Sequence, residues 1–373
     1  MKGDKEKILI LGGTGPLGTN LVDILNSQDN SHIVVTSRKS HDNYGNVEYR
    51  CGDAHDTEWL KSILEERNWD AIVDFMLYTT EEFVERLNFL LESTRQYVFT
   101  SSARVYANSN GERINEESPR LLDITNDKEF LQADSYAITK ARQEDALMQH
   151  PLKNWTIIRP YLTFSDNRLQ LGVMEKEHWL IPALNNRPIV FSRDIAAHYT
   201  TMTDGAVVAK CIAALIGKKE SCGEVFLIAS NVSYKWDDIL KWYLDSIFEE
   251  RGEKPTVFYT EQWDSTYGGE VYEWKYDRLY DRFFDNSKIS KFVSGNIFES
   301  TEETIKRSIK SYIESYHPKA GDLNLDVEYK RGILTGEYLP LYMVTGHKKK
   351  LKQLAYRLHI YKPILYIYYL LCR

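Results

Sequence analysis

The first half of the chain alternates short apolar runs with stretches in which apolar residues recur at helical spacing. Near-continuous apolar runs such as 96–101 predict strands that are covered on both faces. Strands are expected at 7–11, 32–35, 47–51, 71–77, 96–101, 155–159 and 225–229. Helices are expected between them, at 21–25, 57–64, 81–92 and 135–149. The alternation predicts an α/β fold with a doubly wound parallel sheet.

The later chain has a different pattern. Residues 166–195 and 233–316 are rich in Trp, Tyr and charged side chains, and apolar spacing predicts a helix at 236–250. We therefore expect a first domain at 1–165, completed by about 196–232. A smaller mixed lobe would comprise 166–195 and 233–316, and 317–373 would form a C-terminal extension.

Composition narrows the class of protein. A hydrophobic content of 43% and a charged content of 27% are typical of soluble globular proteins. No signal peptide or run long enough to span a bilayer is evident, so a cytoplasmic protein is expected. The four cysteines, Cys51, Cys211, Cys222 and Cys372, lack the spacing of metal ligands, and no metal is expected.

Charge is distributed unevenly along the chain. The net charge is −7, but residues 347–373 carry seven Lys or Arg and no Asp or Glu. The rest therefore holds 40 basic against 54 acidic residues. An acidic body argues against nucleic acid as a partner.

A glycine-rich segment, LGGTGPLG (11–18), follows the first predicted strand and precedes a helix. Glycines at this junction let the backbone approach a pyrophosphate, which the free N–H groups of the helix N-terminus then bind. Pro16 suits the first helical turn. A tight strand–helix turn without a ligand is the alternative. The predicted cofactor contacts here are Gly12, Thr14, Gly15, Pro16, Leu17 and Gly18.

Two further segments bear on the cofactor. An acidic residue at the end of the second strand would bind the ribose hydroxyls of NAD, but this chain has Ser37 and Arg38. Arg38 can pair with a 2′-phosphate, which favours NADP over NAD, unless the loop is merely solvated. After the third strand, Asp53 and the neighbouring Ala54 are placed to meet adenine, whereas Asp56 equally suits a helix cap.

The segment YAITK places Tyr136 and Lys140 one turn apart on one helix face. An ammonium beside a phenol stabilises the phenolate, so Tyr136 could exchange a proton with an alcohol or a carbonyl oxygen. A surface pair with a core tyrosine is the alternative. Two serines, Ser101 and Ser102, lie at the end of a predicted strand and could hold the same oxygen.

Taken together, these residues resemble the extended short-chain dehydrogenase/reductase family, and in particular its NAD-dependent epimerase/dehydratase group, which acts on nucleotide sugars. The resemblance spans residues 7–316 and rests on the glycines, Asp53, Ser101-Ser102, Val105-Tyr106, Tyr136/Lys140 and Arg159-Pro160. It implies a Rossmann fold and a homodimer.

The resemblance also implies roles for single residues. Ser102 corresponds to the catalytic hydroxyl, Tyr136 to the general acid/base, and Lys140 to the residue that holds the nicotinamide ribose. The backbone around Phe75 and Met76 would line the cofactor. Hydride would pass between the nicotinamide and a sugar carbon, usually C4.

Departures from the family pattern matter as much. The family's 4,6-dehydratases place Asp-Glu after the catalytic hydroxyl residue, where this chain has Ala103 and Arg104, so 4,6-dehydration is not expected. YLTFSDNR (161–168) stands where the family has Tyr-Gly-Pro, and FMLYTT (75–80) replaces a small, histidine-containing turn.

A nucleotide diphosphate needs cationic partners, since guanidinium groups suit phosphate oxygens. The predicted substrate contacts, besides Ser102, are Arg168, Arg193, Lys275, Arg278 and Arg282. A salt-bridged helix over 275–288 is the alternative for the last three.

The tail, residues 346–373, lies beyond the resemblance. Leu351, Leu354, Ala355 and Leu358 follow helical spacing among lysines, and the apolar run 363–372 is too short to span a bilayer. Such a segment suits peripheral contact with an anionic membrane, and packing against the body or a dimer partner is the alternative.

The sequence thus predicts an NAD(P)-dependent nucleotide-sugar 4-epimerase or 4-keto reductase, with a place in polysaccharide biosynthesis. The alternative from another class is a non-catalytic, cofactor-bound scaffold in glycan assembly.

Overall fold

The structure is a computed structural model that describes residues 5–263, 269–295, 297, 298, 301–317, 323–358 and 360. The strands are β1 Glu6–Leu11, β2 Ser31–Ser37, β3 Val47–Cys51, β4 Ala71–Asp74, β5 Tyr97–Thr100, β6 Arg113–Ile114, β7 Trp155–Pro160, β8 Thr163–Phe164, β9 Ile189–Ser192, β10 Tyr199–Thr200, β11 Thr203–Asp204, β12 Glu224–Ile228, β13 Tyr234–Lys235, β14 Val257–Thr260 and β15 Phe283–Phe284.

The helices are α1 Pro16–Gln28, α2 Thr57–Glu65, α3 Thr80–Glu92, α4 Leu121–Ile124, α5 Lys128–Gln132, α6 Tyr136–Gln149, α7 Lys176–Leu184, α8 Arg193–Ala196, α9 Gly205–Leu215, α10 Trp236–Arg251, α11 Val271–Glu273, α12 Thr301–Ser315, α13 Leu325–Thr335 and α14 His347–Arg357. Short 3-10 turns follow β5 at Ala103–Val105 and precede α14 at Leu341–Met343.

Seven strands of the described chain form one sheet in the order β12-β7-β5-β4-β1-β2-β3. Every pairing in it is parallel. This is the doubly wound, Rossmann-type sheet that the sequence predicts. The strand order reverses between β1 and β4, and the carboxyl ends of the strands at such a switch point form a crevice in which ligands bind.

Alternating side chains of the central strands form the core on both faces of the sheet. Ile8 and Ile10 pack with residues of α1 and α9, whereas Leu9 and Leu11 pack with residues of α2 and α3. Strands buried on both faces read as continuous apolar runs, which is why they were visible in the sequence.

One strand is shorter than predicted. The apolar run 71–77 forms strand only over Ala71–Asp74. The buried carboxylate of Asp74 accepts a hydrogen bond of 2.8 Å from the backbone N–H of Met76, which turns the chain out of the sheet. Phe75 and Met76 therefore lie in the loop after the strand.

The chain divides into two compact units. Unit 1 lies within Met1–Ser165, Thr200–Ser233 and Tyr280–Thr301 and contains the seven-stranded sheet. Unit 2 lies within Asp166–Tyr199, Tyr234–Leu279 and Glu302–Arg373. A cofactor role for the first part of the chain and a substrate role for the second stay predictions.

Unit 2 contains mainly helices, together with the parallel pair β9–β14. Trp179 of α7 packs on Tyr243 of α10 with ring centroids 4.4 Å apart, and the Tyr243 hydroxyl donates to the Gln170 carbonyl at 3.0 Å. None of the helices within the described residues is both long and apolar enough to cross a membrane.

Candidate active site

The glycine-rich loop joins β1 to α1 at the switch point of the sheet. Gly12 has a φ of 69°, a left-handed conformation that L side chains rarely adopt. A Cβ on Gly18 would lie 2.5 Å from the backbone of Gly13, so the fold itself requires glycine there. The loop is also tied to β2, because the N–H of Gly12 donates to the hydroxyl of Thr36 at 3.1 Å.

Gly15, the N-cap of α1, is different. A Cβ built on Gly15 would meet no described atom closer than the Gly12 carbonyl oxygen, at 3.7 Å. The fold alone therefore does not require glycine at this position. Space in front of the N-terminus of a 13-residue helix suits a pyrophosphate, and the loop fits a dinucleotide.

A cleft of about 290 Å³ opens beside this loop, within unit 1. It brings together predicted cofactor residues from four strand ends. Its lining comprises Gly12, Thr14, Thr36, Ser37, Arg38, Gly52, Asp53, Ala54, His55, Phe75, Met76 and Leu77. Thr36, Gly52, His55 and Leu77 were missed by the sequence reasoning, although each adjoins a residue that it identified. Gly15 is the N-cap of α1 and Pro16, Leu17 and Gly18 lie in its first turn, outside the lining of the cleft.

Hydrogen bonds at the strand ends fix two of these loops. The Ser37 hydroxyl accepts from the N–H of Lys39 at 3.1 Å, which leaves Arg38 exposed at the cleft. Asp53 accepts from the N–H of His55 at 3.0 Å. Asp56 caps α2 by accepting from Glu58 and Trp59, so the helix cap that its position suggested is present.

Ser102 lies directly after β5 and has a mostly buried side chain. Its hydroxyl accepts from the N–H of Arg104 at 3.2 Å, which starts the 3-10 turn. The guanidinium of Arg104 then lies 5.1 Å from the ring centroid of Tyr136, the first residue of α6. The turn that carries Ser102 and the helix that carries Tyr136 therefore meet through Arg104.

Lys140 lies one turn further along α6 and is buried. Its ammonium donates to the Thr100 carbonyl at 2.8 Å and lies 4.5 Å from the centroid of the Phe99 ring. Burial lowers the pKa of Lys140 to about 8, while the charges of Asp74 and Glu144 act in the opposite direction. Lys140 is thus held at the end of β5, beside the two serines.

Asp74, at the end of β4, is a buried acid that the sequence reasoning did not identify. It accepts from the Tyr97 hydroxyl at 2.8 Å as well as from Met76. Burial raises the pKa of Asp74, and the charge of Lys140 works against that rise. The signal was available, since an acid interrupts an otherwise apolar strand.

Glu144 is the second missed acid and is completely buried one turn beyond Lys140. Arg159 donates to both of its oxygens at 2.8 Å, and Arg120 donates at 3.2 Å. The Ser101 hydroxyl donates to it at 2.6 Å. Spacing from Lys140 could have revealed this residue, because Tyr136, Lys140 and Glu144 lie four apart on one helix face.

The five cations predicted to bind substrate lie apart in the two units. Arg282, in unit 1, donates to the carbonyls of Tyr106 and Ala107 at 3.1 and 2.9 Å and so anchors the segment after Ser102. Arg278, in unit 2, is buried against Asp277 and Glu273. Substrate contact by either would compete with these bonds.

The other three cations are more accessible, and all belong to unit 2. Arg168 pairs with Glu175 at 3.3 Å, and Arg193 lies 3.6 Å from Glu261. Lys275 is exposed beside the Tyr276 ring. Their role in substrate binding stays a prediction.

Comparison with known proteins identifies the family of this chain. The profile of the NAD dependent epimerase/dehydratase family matches residues 8–204, which is more than half of the chain. The chain belongs to this family. Its members share a nicotinamide cofactor, as the family's description states, and the glycine loop and cleft of this family member suit one. A comparison with curated proteins found no match.

Solved structures similar to this family member share its fold. A dTDP-glucose 4,6-dehydratase from Bacillus anthracis in complex with NAD has a TM-score of 0.63 at 16% identity, covering 83% of this chain and 97% of that chain. A UDP-glucuronic acid 4-epimerase from Bacillus cereus, in complex with UDP-glucuronic acid and NAD, has a TM-score of 0.62 at 16% identity, covering 83% and 99%.

An epimerase from Methanothermobacter thermautotrophicus has a TM-score of 0.63 at 18% identity, covering 83% of this chain and 93% of that chain. These neighbours include both a dehydratase and a 4-epimerase. At such identities the likeness establishes the fold, and the type of reaction has to be argued from the site.

Proposed function

We propose that the protein catalyses hydride transfer at C4 of a nucleotide-diphosphate sugar, as a 4-epimerase or a 4-keto reductase. One observation carries the proposal. Tyr136 has a guanidinium, that of Arg104, near its ring and the buried Lys140 one helical turn away. The Tyr136 phenol is the group of this site that can exchange a proton with a sugar hydroxyl.

The residues of the cleft fit a nicotinamide dinucleotide. The N-terminus of α1 and Gly15 would hold the pyrophosphate, and Lys140 would hold the nicotinamide ribose. When bound, the cofactor supplies the acceptor or donor of hydride. The exposed Arg38 supports NADP over NAD, because a guanidinium pairs with a 2′-phosphate.

Residues of this chain would transfer the proton that accompanies the hydride. In the oxidising direction Tyr136 takes the proton of the C4 hydroxyl, and in the reducing direction it returns a proton to the carbonyl oxygen. The Ser102 hydroxyl would hydrogen-bond the same oxygen. The charges of Asp74 and Glu144 favour the ammonium form of Lys140.

Elimination of water is not part of the proposal. A 4,6-dehydratase needs a carboxyl pair to move a proton and to expel hydroxide, and this chain has Ala103 and Arg104 in those places. The Arg104 guanidinium lies beside the Tyr136 ring, and a guanidinium has donors but no acceptor. Such a group cannot act as the general base that the elimination needs.

Several finer expectations go with the proposal. The similar 4-epimerase binds UDP-glucuronic acid, as its description states, which supports a nucleotide sugar as substrate. Three further predictions stay untested: that the protein forms a homodimer, that it is located in the cytoplasm, and that it takes part in polysaccharide biosynthesis.

The purified protein should be incubated with UDP- and dTDP-hexoses and their 4-keto derivatives, together with NAD, NADP or NADPH. Proton NMR of the sugar distinguishes the reactions. An epimerase inverts C4 with no net change of cofactor. A reductase consumes NADPH, and with NADPH deuterated at C4 of the nicotinamide it moves the deuterium to C4 of the sugar.

Tyr136→Phe should lower turnover by about 10²- to 10⁴-fold, as expected for removal of a general acid/base, while NAD(P) binding persists. Tyr44→Phe, an exposed tyrosine, is the matched control. Turnover that survives Tyr136→Phe contradicts the assignment. Cofactor binding without turnover of any nucleotide sugar would instead favour a non-catalytic scaffold.

A further inference from the structure

The basic helix α14 is packed on unit 2 along one face only. Its buried residues are Gln353, Ala355 and Tyr356. The Tyr356 ring stacks on Tyr329 of α13 with centroids 4.2 Å apart, and Lys352 lies 3.0 Å from Asp326 at the start of α13. These contacts hold the helix in place and leave its other face outward.

The outward face carries a row of leucines. Leu351, Leu354 and Leu358 are 66%, 41% and 59% exposed. Their spacing of three and four residues places them in one stripe along the helix. Single exposed leucines are ordinary on a protein surface, but an aligned set on one helix marks a place of contact.

Cations flank this leucine stripe on both sides. At 3.6 residues per turn, Lys350 lies on one side of it and Lys348 lies on the other. Arg357 is half-buried and donates to the Leu339 carbonyl at 2.6 Å, so the exposed lysines supply the outward charge. The segment 346–358 contains five Lys or Arg and no Asp or Glu. Lys348, Lys349 and Lys350 are all exposed. Tyr342, in the turn before the helix, is 84% exposed and adds an aromatic ring of the kind found at membrane interfaces.

We propose that the outward face of α14 binds an anionic membrane surface. The leucine stripe would enter the boundary between headgroups and acyl chains, and the flanking cations would contact lipid phosphates. This inference does not depend on the reaction that the site in unit 1 catalyses.

Charge argues against a second copy of the chain as the occupant. A two-fold contact between two such faces would place cations of one copy opposite cations of the other, with no carboxylate in 346–358 to offset them. A surface rich in lipid phosphates supplies the missing negative charge, and it also accepts the leucines.

The experiment is cosedimentation of the full chain with vesicles of phosphatidylcholine alone, or of phosphatidylcholine and phosphatidylglycerol in equal parts. The protein should bind the anionic vesicles, and roughly 1 M NaCl, at which the Debye length is about 3 Å, should release most of it. Lys348→Gln/Lys349→Gln/Lys350→Gln should weaken binding about a hundredfold, from about 1 kcal/mol per cation.

A second variant tests the leucines. Leu351→Ser/Leu354→Ser/Leu358→Ser should weaken binding by about tenfold or more, because buried apolar area contributes to interfacial binding. Two controls change exposed residues elsewhere and should leave binding unchanged. They are Lys210→Gln/Lys218→Gln/Lys219→Gln for the lysines and Val84→Ser/Ile124→Ser/Leu152→Ser for the apolar residues. Circular dichroism confirms that each variant is folded.

Equal partition of the wild type and of both α14 variants would overturn the proposal. So would equal binding to neutral and anionic vesicles. If the leucine variant changes the sedimentation coefficient of the free protein and the wild type binds no vesicle, the face is a contact between copies of the chain, and the membrane proposal fails.

Discussion

Each unit contains a buried carboxylate that is held by two arginines. In unit 1, Glu144 is bound by Arg159 and Arg120. In unit 2, Glu328 is bound by Arg187 at 3.0 Å and by Arg331 at 2.8 Å. Both glutamates are nearly or fully buried, and each needs its arginines to offset the cost of desolvation.

Their surroundings differ. The arginines around Glu328 use their remaining donors on backbone carbonyls, those of Pro188, His178 and Glu337. Glu144 instead accepts from the Ser101 hydroxyl and lies one helical turn from Lys140. A buried ionic cluster is therefore no sign of function by itself, and its neighbours decide whether it bears on catalysis.

The strongest test of this comparison removes each carboxylate. Glu144→Gln and Glu328→Gln should each lower the free energy of unfolding by about 3–5 kcal/mol. The first leaves the buried Arg159 without its carboxylate, and the second does so for Arg187 and Arg331. Urea denaturation measures both. Glu58→Gln, which removes the exposed partner of Lys61, should cost about 0–1 kcal/mol and serves as the control.

The same pair of variants separates stability from catalysis. Under conditions in which both stay folded, only Glu144→Gln should shift the pH profile of kcat/KM, because its charge favours the ammonium form of Lys140. An equal shift in Glu328→Gln would remove the distinction between the two clusters.

Lys140 lies between Glu144 and Tyr136 on α6, so replacing it tests whether the Glu144 cluster bears on catalysis. Lys140→Met should lower kcat/KM about a hundredfold with its fold retained, as for a loss of acid/base assistance. In the wild type, kcat/KM should fall as pH rises above about 8, where Lys140 loses its charge. Lys61→Met, an exposed lysine, is the control and should keep the wild-type profile.

Burial of Lys140 also predicts a dependence of stability on pH. The pKa is lowered from 10.5 to about 8 in the fold, so between these values the unfolded chain binds more protons than the folded chain. The contribution of this residue to the free energy of unfolding should therefore rise by about 2 kcal/mol from pH 8 to pH 10. Urea denaturation of the wild type and of Lys140→Met at several pH values isolates this contribution. If the free energies of unfolding of the two proteins change in parallel with pH, the burial argument is wrong.

Arg104 gives the smallest expected effect. Arg104→Gln removes the cation near the Tyr136 ring and should lower kcat/KM about tenfold, in line with about 1–2 kcal/mol for a partly desolvated cation–π contact. Arg104→Lys should restore part of the rate. No loss in the glutamine variant would leave Lys140 as the cation that matters.

The sequence predicted the strands, loops and helices that follow from local patterns of apolar residues and glycines. Strands buried on both faces, such as β1 and β7, appear as apolar runs, and the strand–glycine–helix junction and the helix α6 lie where the sequence predicts them. Arg38 and Asp53 were predicted from their position after strands, and both line the cleft.

The sequence could not supply contacts between distant segments. Arg120, Arg159 and Glu144 meet only because β7 and α6 are adjacent in the fold, and no local spacing brings Arg120 to them. For the same reason Arg282 was expected at a phosphate, whereas in the fold it donates to the carbonyls of Tyr106 and Ala107. The apolar run 363–372 was predicted to contact the membrane together with the basic helix, and it lies outside the described residues.

The difference between Gly15 and Gly18 has an evolutionary consequence. Gly18 is kept by the architecture, since a methyl group there collides with Gly13, whereas the architecture would tolerate one at Gly15. Selection can therefore retain Gly15 only through whatever binds in front of the helix. In a lineage that gave up its cofactor, Gly15 would be free to drift while Gly18 stayed fixed, so this one position distinguishes working enzymes from descendants that kept only the fold.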